Sequence, residues 1–536
     1  MISKTLIFLF TLLSVSISNL QSQPIFTRIP SSVGGTTGIA VRITVPDTAR
    51  YSGGAPVIVF IAGGWGSSGI SPNGLNLPQL GFVEISFNYP GGGTPPNVSG
   101  GTYDMRGHLC VQALKDVIRF ANGLQQDING QLISQLVSPI VPLSNNVGLI
   151  GLSNGGNLTI TTAGSYGNEI QNLAWIVNWE SPVGDGMPGA EAGAYGSMGN
   201  YPNPVRNPAY NDTTGLFDYS KLKYHDTLKA NRSGAYNLRG NFYFDMDNDN
   251  YPDIGSDYIM NPVMYDSSSV VKAYWSVSLL QNAYTLGIVP ATLPSHIPSL
   301  YEAQNFWVWR NGEYWIDSAI NKLPQLMFLS VASDTDHVQS ALNHPHILIQ
   351  YELFRTNGVR FVRLNPDRAY VEYVSGSTYP NAKDNPGFTP YDNLTIRNAV
   401  EPENINTNFL NAAAVCELAD RTYTNNLDPN LNSIIISIKK INGSVIENYI
   451  LYQNYPNPFN PSTTIHFSIP KSSVVNLKVY DILGKEITTL VQEELIQGSY
   501  EVGFDSFRVP EIASGTYFYV MNTDDFFDCK KFILLK

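Results

Sequence analysis

The run Gly151-Leu152-Ser153-Asn154-Gly155-Gly156 carries the clearest chemical signal in the chain. It follows Asn146-Val147-Gly148-Leu149-Ile150, which reads as a strand, and the G-x-S-x-G pattern predicts a strand turning abruptly into a helix at the serine. Such a bend forces Ser153 into a strained backbone conformation, so neighbours two residues away must lack side chains to let the chain pass. The hydroxyl is pushed out over the sheet edge, and the helix N-terminus behind it favours negative charge. That setting suits a nucleophile, provided a base removes the hydroxyl proton as it attacks.

A second constellation is acidic. Asp245, Asp247, Asp249, Asp253 and Asp257 recur through the run that begins at Phe244. Carboxylates at alternate positions of a tight loop suit a hard, oxygen-seeking cation, and structural calcium is the expectation. The loop departs from an EF-hand in having Asn250 at its sixth position and Ser256 at its twelfth. A solvated acidic turn is the alternative.

The elements that must position these residues alternate as in a mostly parallel α/β sheet. Strands are predicted at Ile39–Val45, Val57–Ile61, Phe82–Tyr89, Val147–Ile150, Leu173–Trp179, Leu326–Val331 and Val359–Leu364, several of them near-continuous apolar runs. A helix is predicted from Met105 to Asn122, with Cys110, Leu114, Val117, Ile118 and Ala121 on one face, and another from His346 to Asn357. From about 184 to 323 the alternation fails; this stretch, rich in Gly, Asn, Tyr and Pro, reads as a cap inserted over the C-terminal edge of the sheet, where α/β proteins bind ligands.

On these motifs, the body from Ile39 to Tyr373 resembles the α/β-hydrolase superfamily. The resemblance implies that the loop Ala62-Gly63-Gly64-Trp65-Gly66 supplies oxyanion donors at Gly64 and Trp65, joined by the amide of Asn154. It also implies an acid and then a histidine after the serine. Asp336 fits the acid best, with Asp334 and Glu180 as alternatives. The base departs from the pattern. After the last strand come Asn365-Pro366-Asp367, and no histidine occurs until His466. His337, beside Asp336, is the candidate base, and His344 is a second.

After about Asn430 the pattern changes to short alternating strands at Val474–Tyr480, Tyr500–Phe504 and Gly515–Met521, a small antiparallel sandwich. The opening Tyr455-Pro456-Asn457-Pro458-Phe459-Asn460-Pro461, with Val479-Tyr480-Asp481, Gly484, Gly498-Ser499-Tyr500, Ala513-Ser514-Gly515-Thr516-Tyr517 and Lys530-Lys531, resembles the C-terminal sorting domain of type IX secretion substrates. That resemblance implies the type IX secretion machinery as a partner. At the other end, Lys4, the apolar Leu6 to Leu13 and the small polar residues to Ser22 read as a signal peptide cleaved between Ser18 and Gln23, with a retained anchor as the alternative.

The expected organisation is therefore a signal peptide at 1–23, an α/β-hydrolase-like domain at 24–430 with its cap, a linker at 431–450 and the sorting domain at 451–536. A net charge of −12 without a basic cluster excludes nucleic acid as a partner, and no later segment reads as a membrane span in the mature form. Three cysteines are too few for a disulfide scaffold; Cys110 and Cys416 are expected either as a bridge or as buried thiols. The function expected is a serine hydrolase acting on an ester or peptide bond, secreted or held at the outer-membrane surface of a Gram-negative bacterium. The alternative is a catalytically dead relative that binds a peptide, glycan or lipid at the cell surface.

Overall fold

The computed structural model describes residues 23–185, 191–193, 206–211, 214–230, 238–253, 255–267, 270–332, 345–376, 406–427, 439–441, 448–460, 462–495, 497–506, 509 and 512–535. The leader candidate, Asp334, Asp336, His337 and His344 lie outside these residues.

The main sheet has eight strands: β1 (Ile25–Ile29), β2 (Ile39–Thr44), β3 (Ala55–Ile61), β4 (Val83–Phe87), β5 (Pro142–Leu152), β6 (Leu173–Trp179), β7 (Met327–Val331) and β8 (Phe361–Leu364). Their spatial order is β1-β2-β4-β3-β5-β6-β7-β8. From β4 to β8 every pairing is parallel, whereas β2 runs antiparallel to both neighbours. All seven predicted strands are present. β3 is buried along its whole length, with Val57, Val59 and Ile61 facing one core and Ile58 and Phe60 the other, which is why its sequence is an unbroken apolar run.

Helices α1 (His108–Ala121) and α2 (Asn154–Tyr166) pack on the first face. α1 begins at His108 rather than Met105 because Met105 and Arg106 adopt left-handed backbone angles, φ 52° and 65°. Helix α3 (Pro345–Thr356) follows β7. The opposite face is covered by α4 (Thr407–Thr424), an element the sequence pattern did not reveal. Buried ion pairs staple it down. Arg50 donates twice to Asp420, at 2.6 and 2.7 Å, with the Tyr51 hydroxyl donating to the same carboxylate at 2.6 Å, and Arg363 and Arg421 converge on Glu417. Cys110 and Cys416 are free, buried thiols in the two different cores, so the bridge allowed by the sequence does not form.

The insertion is an antiparallel unit with a core of its own, including Phe242, Phe244, Trp275 and Trp307. Its strands Leu222–Lys229, Arg239–Phe244 and Tyr258–Ile259 form one sheet, and Val263–Ser267 pairs with Val270–Tyr274. The last part of the stretch, Ile316–Lys322, packs its Ile316 and Ala319 into the body's core beside α2.

The C-terminal module is made of two four-stranded antiparallel sheets around Ile465, Phe467, Val475, Leu477, Val479, Tyr519 and Phe532. Lys439–Ile441, within the stretch read as linker, pairs with Gly498–Asp505 as an edge strand.

Candidate functional site

β5 runs to Leu152, α2 starts at Asn154, and Ser153 forms the bend between them with φ 48° and ψ −123°. A side chain is strained at such angles, which glycine alone adopts freely. The bend is pinned by its amide, which donates to the Trp179 carbonyl at the end of β6 at 2.8 Å. The flanking glycines are sterically required. A Cβ on Gly155 would lie 2.5 Å from the Ile61 carbonyl oxygen, and one on Gly156 would overlap the Ser181 side chain. Ser153 is itself half-buried, with the amide of Asn154 among the first-turn donors that no intrahelical carbonyl can satisfy.

The loop after β3 presses against this bend. A Cβ on Gly63 would sit 2.7 Å from the Leu152 carbonyl oxygen and 3.1 Å from Ser153 Cβ, so only glycine permits the approach. Gly64 follows with φ 67°, exposed to solvent. Each carbonyl of the loop is held from behind by a side chain. The Tyr89 hydroxyl donates to Ala62 (3.1 Å), Arg106 Nη2 to Gly63 (3.0 Å), Arg106 Nε to Gly64 (3.3 Å), and the Tyr103 hydroxyl to Trp65 (2.8 Å) and Gly66 (3.1 Å). Ser153, Asn154, Gly64 and Trp65 are thus brought to one sheet edge.

Of the seven histidines in the sequence, five are described, and four of them have other roles. His108 meets the Tyr166 hydroxyl and the Trp309 ring; Tyr166 ends α2, about 20 Å along the helix from Ser153. His225 sits on an insertion strand, His296 meets the Gly240 carbonyl in the insertion, and His466 belongs to the C-terminal module. His346 is buried in the first turn of α3, and its carbonyl accepts from Gln350, which also donates to the Ser181 carbonyl. The position directly after β8 holds Asn365, buried with φ 57°, whose side chain accepts from the Ala332 amide at 2.9 Å. Glu180 is buried at the end of β6, with its amide on the Val331 carbonyl.

With this strand order and this bend at the serine, the body has the α/β-hydrolase fold. Residues 453–535 match the family described as secretion system C-terminal sorting domain. That module marks the chain as exported, either secreted or at the cell surface. No curated protein sequence matches the chain. Among solved structures, the body is similar to carboxyl esterase 2 from the mycorrhizal fungus Tuber melanosporum (13% identity, 64% of this chain and 77% of that chain, TM-score 0.31). A thermostable carboxyl esterase from Bacillus coagulans is similar at 10% identity over 64% of this chain and 88% of that one, with a TM-score of 0.32. An acylaminoacyl peptidase from Pyrococcus horikoshii is similar at 12% identity over 64% of this chain and 36% of that one, with a TM-score of 0.30. The strand order, not these similarities, carries the fold.

The acidic loop of the insertion gathers Asp245, Asp247 and Asp257 with carboxylate oxygens within 4.8 Å of one another, and Asp247, Asp249 and Asp253 likewise. Asp245 accepts from the amides of Asn248 and Asn250, and Asp257 from those of Met246 and Asp253. Asn248 and Asn250 take φ 66° and 61°, so the asparagine at the sixth position tolerates the turn that glycine makes in an EF-hand. Among the described residues no helix is long and apolar enough to cross a membrane.

Three residues that hold the oxyanion loop carry no motif in the sequence: Tyr89, Tyr103 and Arg106. The left-handed Arg106 stands where the helix pattern begins, and only Gly107, directly after it, hinted at a break.

Proposed function

We propose that the chain is an exported serine hydrolase that cleaves an ester or peptide bond of an extracellular substrate. Ser153 attacks the carbonyl carbon, and the amides of Gly64, Trp65 and Asn154 receive the charge that develops on the carbonyl oxygen. The acid and base come from the chain after β7, where Asp336 and His337 stand. What supports this reading is the strained serine with the Gly63 backbone packed against it, because a bend of that cost persists only where surrounding structure holds it in place. Hydrolysis of short-chain p-nitrophenyl esters by the secreted chain tests it. Turnover is expected that Ser153→Ala abolishes; equal turnover by the two proteins would refute it.

One observation favours the non-catalytic alternative. After β8 the chain places Asn365, already committed to the Ala332 amide, where the fold's base is expected. In that case the same sheet edge binds a peptide, glycan or lipid without cleaving it.

The leader at 1–23 is proposed as a signal peptide, and export as passage through the type IX machinery. Calcium is proposed as a structural ion of the acidic loop, held by carboxylates of Asp245, Asp247, Asp249, Asp253 and Asp257, where it would neutralise their mutual repulsion.

A further inference from the structure

We infer that Arg106 is a positioning residue that aims and polarises the oxyanion amides, and that Arg310 of the insertion holds Arg106 in place. The inference rests on the serine-hydrolase reading.

A carbonyl and the following N–H belong to one planar trans peptide and point in opposite directions. The Gly63 carbonyl therefore shares its peptide with the Gly64 amide, and the Gly64 carbonyl with the Trp65 amide. Arg106 donates to both carbonyls, and so turns both candidate donors to the side away from itself. A cation on the carbonyl side also withdraws electron density from each peptide and strengthens its N–H as a donor.

Among the described residues the guanidinium meets these two carbonyls and the Tyr89 ring. It is 2% exposed, stacks 3.5 Å over the Tyr89 ring, and among the described residues pairs with no carboxylate. Its Nη1 has no hydrogen-bond partner there. Burial pushes it down to about 9, which leaves it a cation at neutral pH. An unpaired buried charge is costly, and a structural anchor for two glycines needs none.

Arg106 reaches this place only because its backbone is left-handed, and the insertion fixes that backbone. Arg310 Nε donates to the Met105 carbonyl at 2.8 Å, Nη2 to the Asp104 carbonyl, and Nη1 to the Phe306 carbonyl, in the helix that ends at Trp307, at 2.7 Å. A Cβ on Gly107 would lie 2.6 Å from Arg310 Nη2, so the loop is closed onto the insertion.

The test is steady-state ester hydrolysis by the full exported chain carrying Arg106→Met, Arg106→Lys or Arg310→Met, together with inhibition by a boronic acid that mimics the tetrahedral intermediate. Arg106→Met should lower kcat about tenfold or more with KM unchanged, and weaken boronate binding in parallel. Lysine, a point charge without the fork, should restore part of kcat, and Arg310→Met should lower kcat in the same sense. Where Arg106→Met fails to fold, Arg106→Lys carries the test, again with reduced kcat at constant KM. Wild-type kcat and boronate affinity in the folded variants would overturn the inference while leaving the hydrolase reading intact. A wild-type chain no more active than Ser153→Ala would overturn both.

Discussion

The amide of Ser153 donates to the carbonyl of Trp179 at 2.8 Å, so the end of β6 clamps the bend that lifts the serine over the sheet edge. The strain at Ser153 is thereby held by the neighbouring strand rather than by the serine itself. Ser153→Gly should release it and stabilise the fold by about 1 kcal/mol, raising Tm by about 2–4 °C, while esterase activity disappears. Calorimetry of the purified variant checks this; a lower Tm would show that the serine is not strained.

Gly63 touches the bend from the other side. Gly63→Ala should push the loop off Ser153, because its new methyl would meet the Leu152 carbonyl oxygen at 2.7 Å. Activity should fall by about 10²-fold or more with the secondary structure intact, as expected for a displaced oxyanion donor. Full activity in a folded Gly63→Ala would contradict the placement of that loop.

The Arg50–Asp420 pair joins the body to α4 in a fully buried setting. Asp420→Asn should destabilise by about 3 kcal/mol or more, since it leaves a guanidinium buried without its charge partner. Urea unfolding measures it. An unchanged midpoint would mean that α4 does not depend on this contact.

Glu191 gives a pH signature. Burial, with Asp185 nearby, pushes its carboxyl from the ordinary 4.5 up to about 8, against a hydrogen bond from Ser276 that pulls the other way. The folded state thus binds the proton more tightly than the unfolded chain. Its contribution is fully present below 4.5, is lost progressively as pH rises towards about 8, and levels off above. Glu191→Gln should flatten the decline in Tm between these limits. A Tm difference between the two proteins that is constant with pH would exclude the shift.

For the acidic loop, calcium at 100 times its Kd should stabilise the chain by about 2.7 kcal/mol, and chelator should reverse the effect. Asp247 is exposed and belongs to both carboxylate groups, so Asp247→Asn should remove most of the increment without harming the calcium-free fold. A Tm indifferent to calcium would leave a solvated acidic turn.

The parallel strands were legible because burial on both faces favours unbroken apolar runs, as in β3, and in β6 up to Asn178. α4 was not, because it is buried almost all round. Asn411, Glu417, Asp420 and Arg421 lie inward with the alanines, so no polar stripe contrasts with an apolar one. Asn406, which caps it, was the signal available. β1 is a short edge strand in which Thr27 and Arg28 interrupt the apolar pattern. At the site, Ser153 and its glycines were readable because one backbone bend dictates all of them locally. Arg106 was not, since its partners lie more than forty positions earlier in the chain and its left-handed angles follow from contacts made by the insertion.

Hydrolysis of the proposed kind requires that Ser153 react as a nucleophile. Treatment of the exported chain with a fluorophosphonate probe, followed by mass spectrometry of the labelled peptide, measures this directly. Stoichiometric modification on Ser153 is expected, and Ser153→Ala should eliminate it. Labelling of the wild type no greater than that of Ser153→Ala would contradict it.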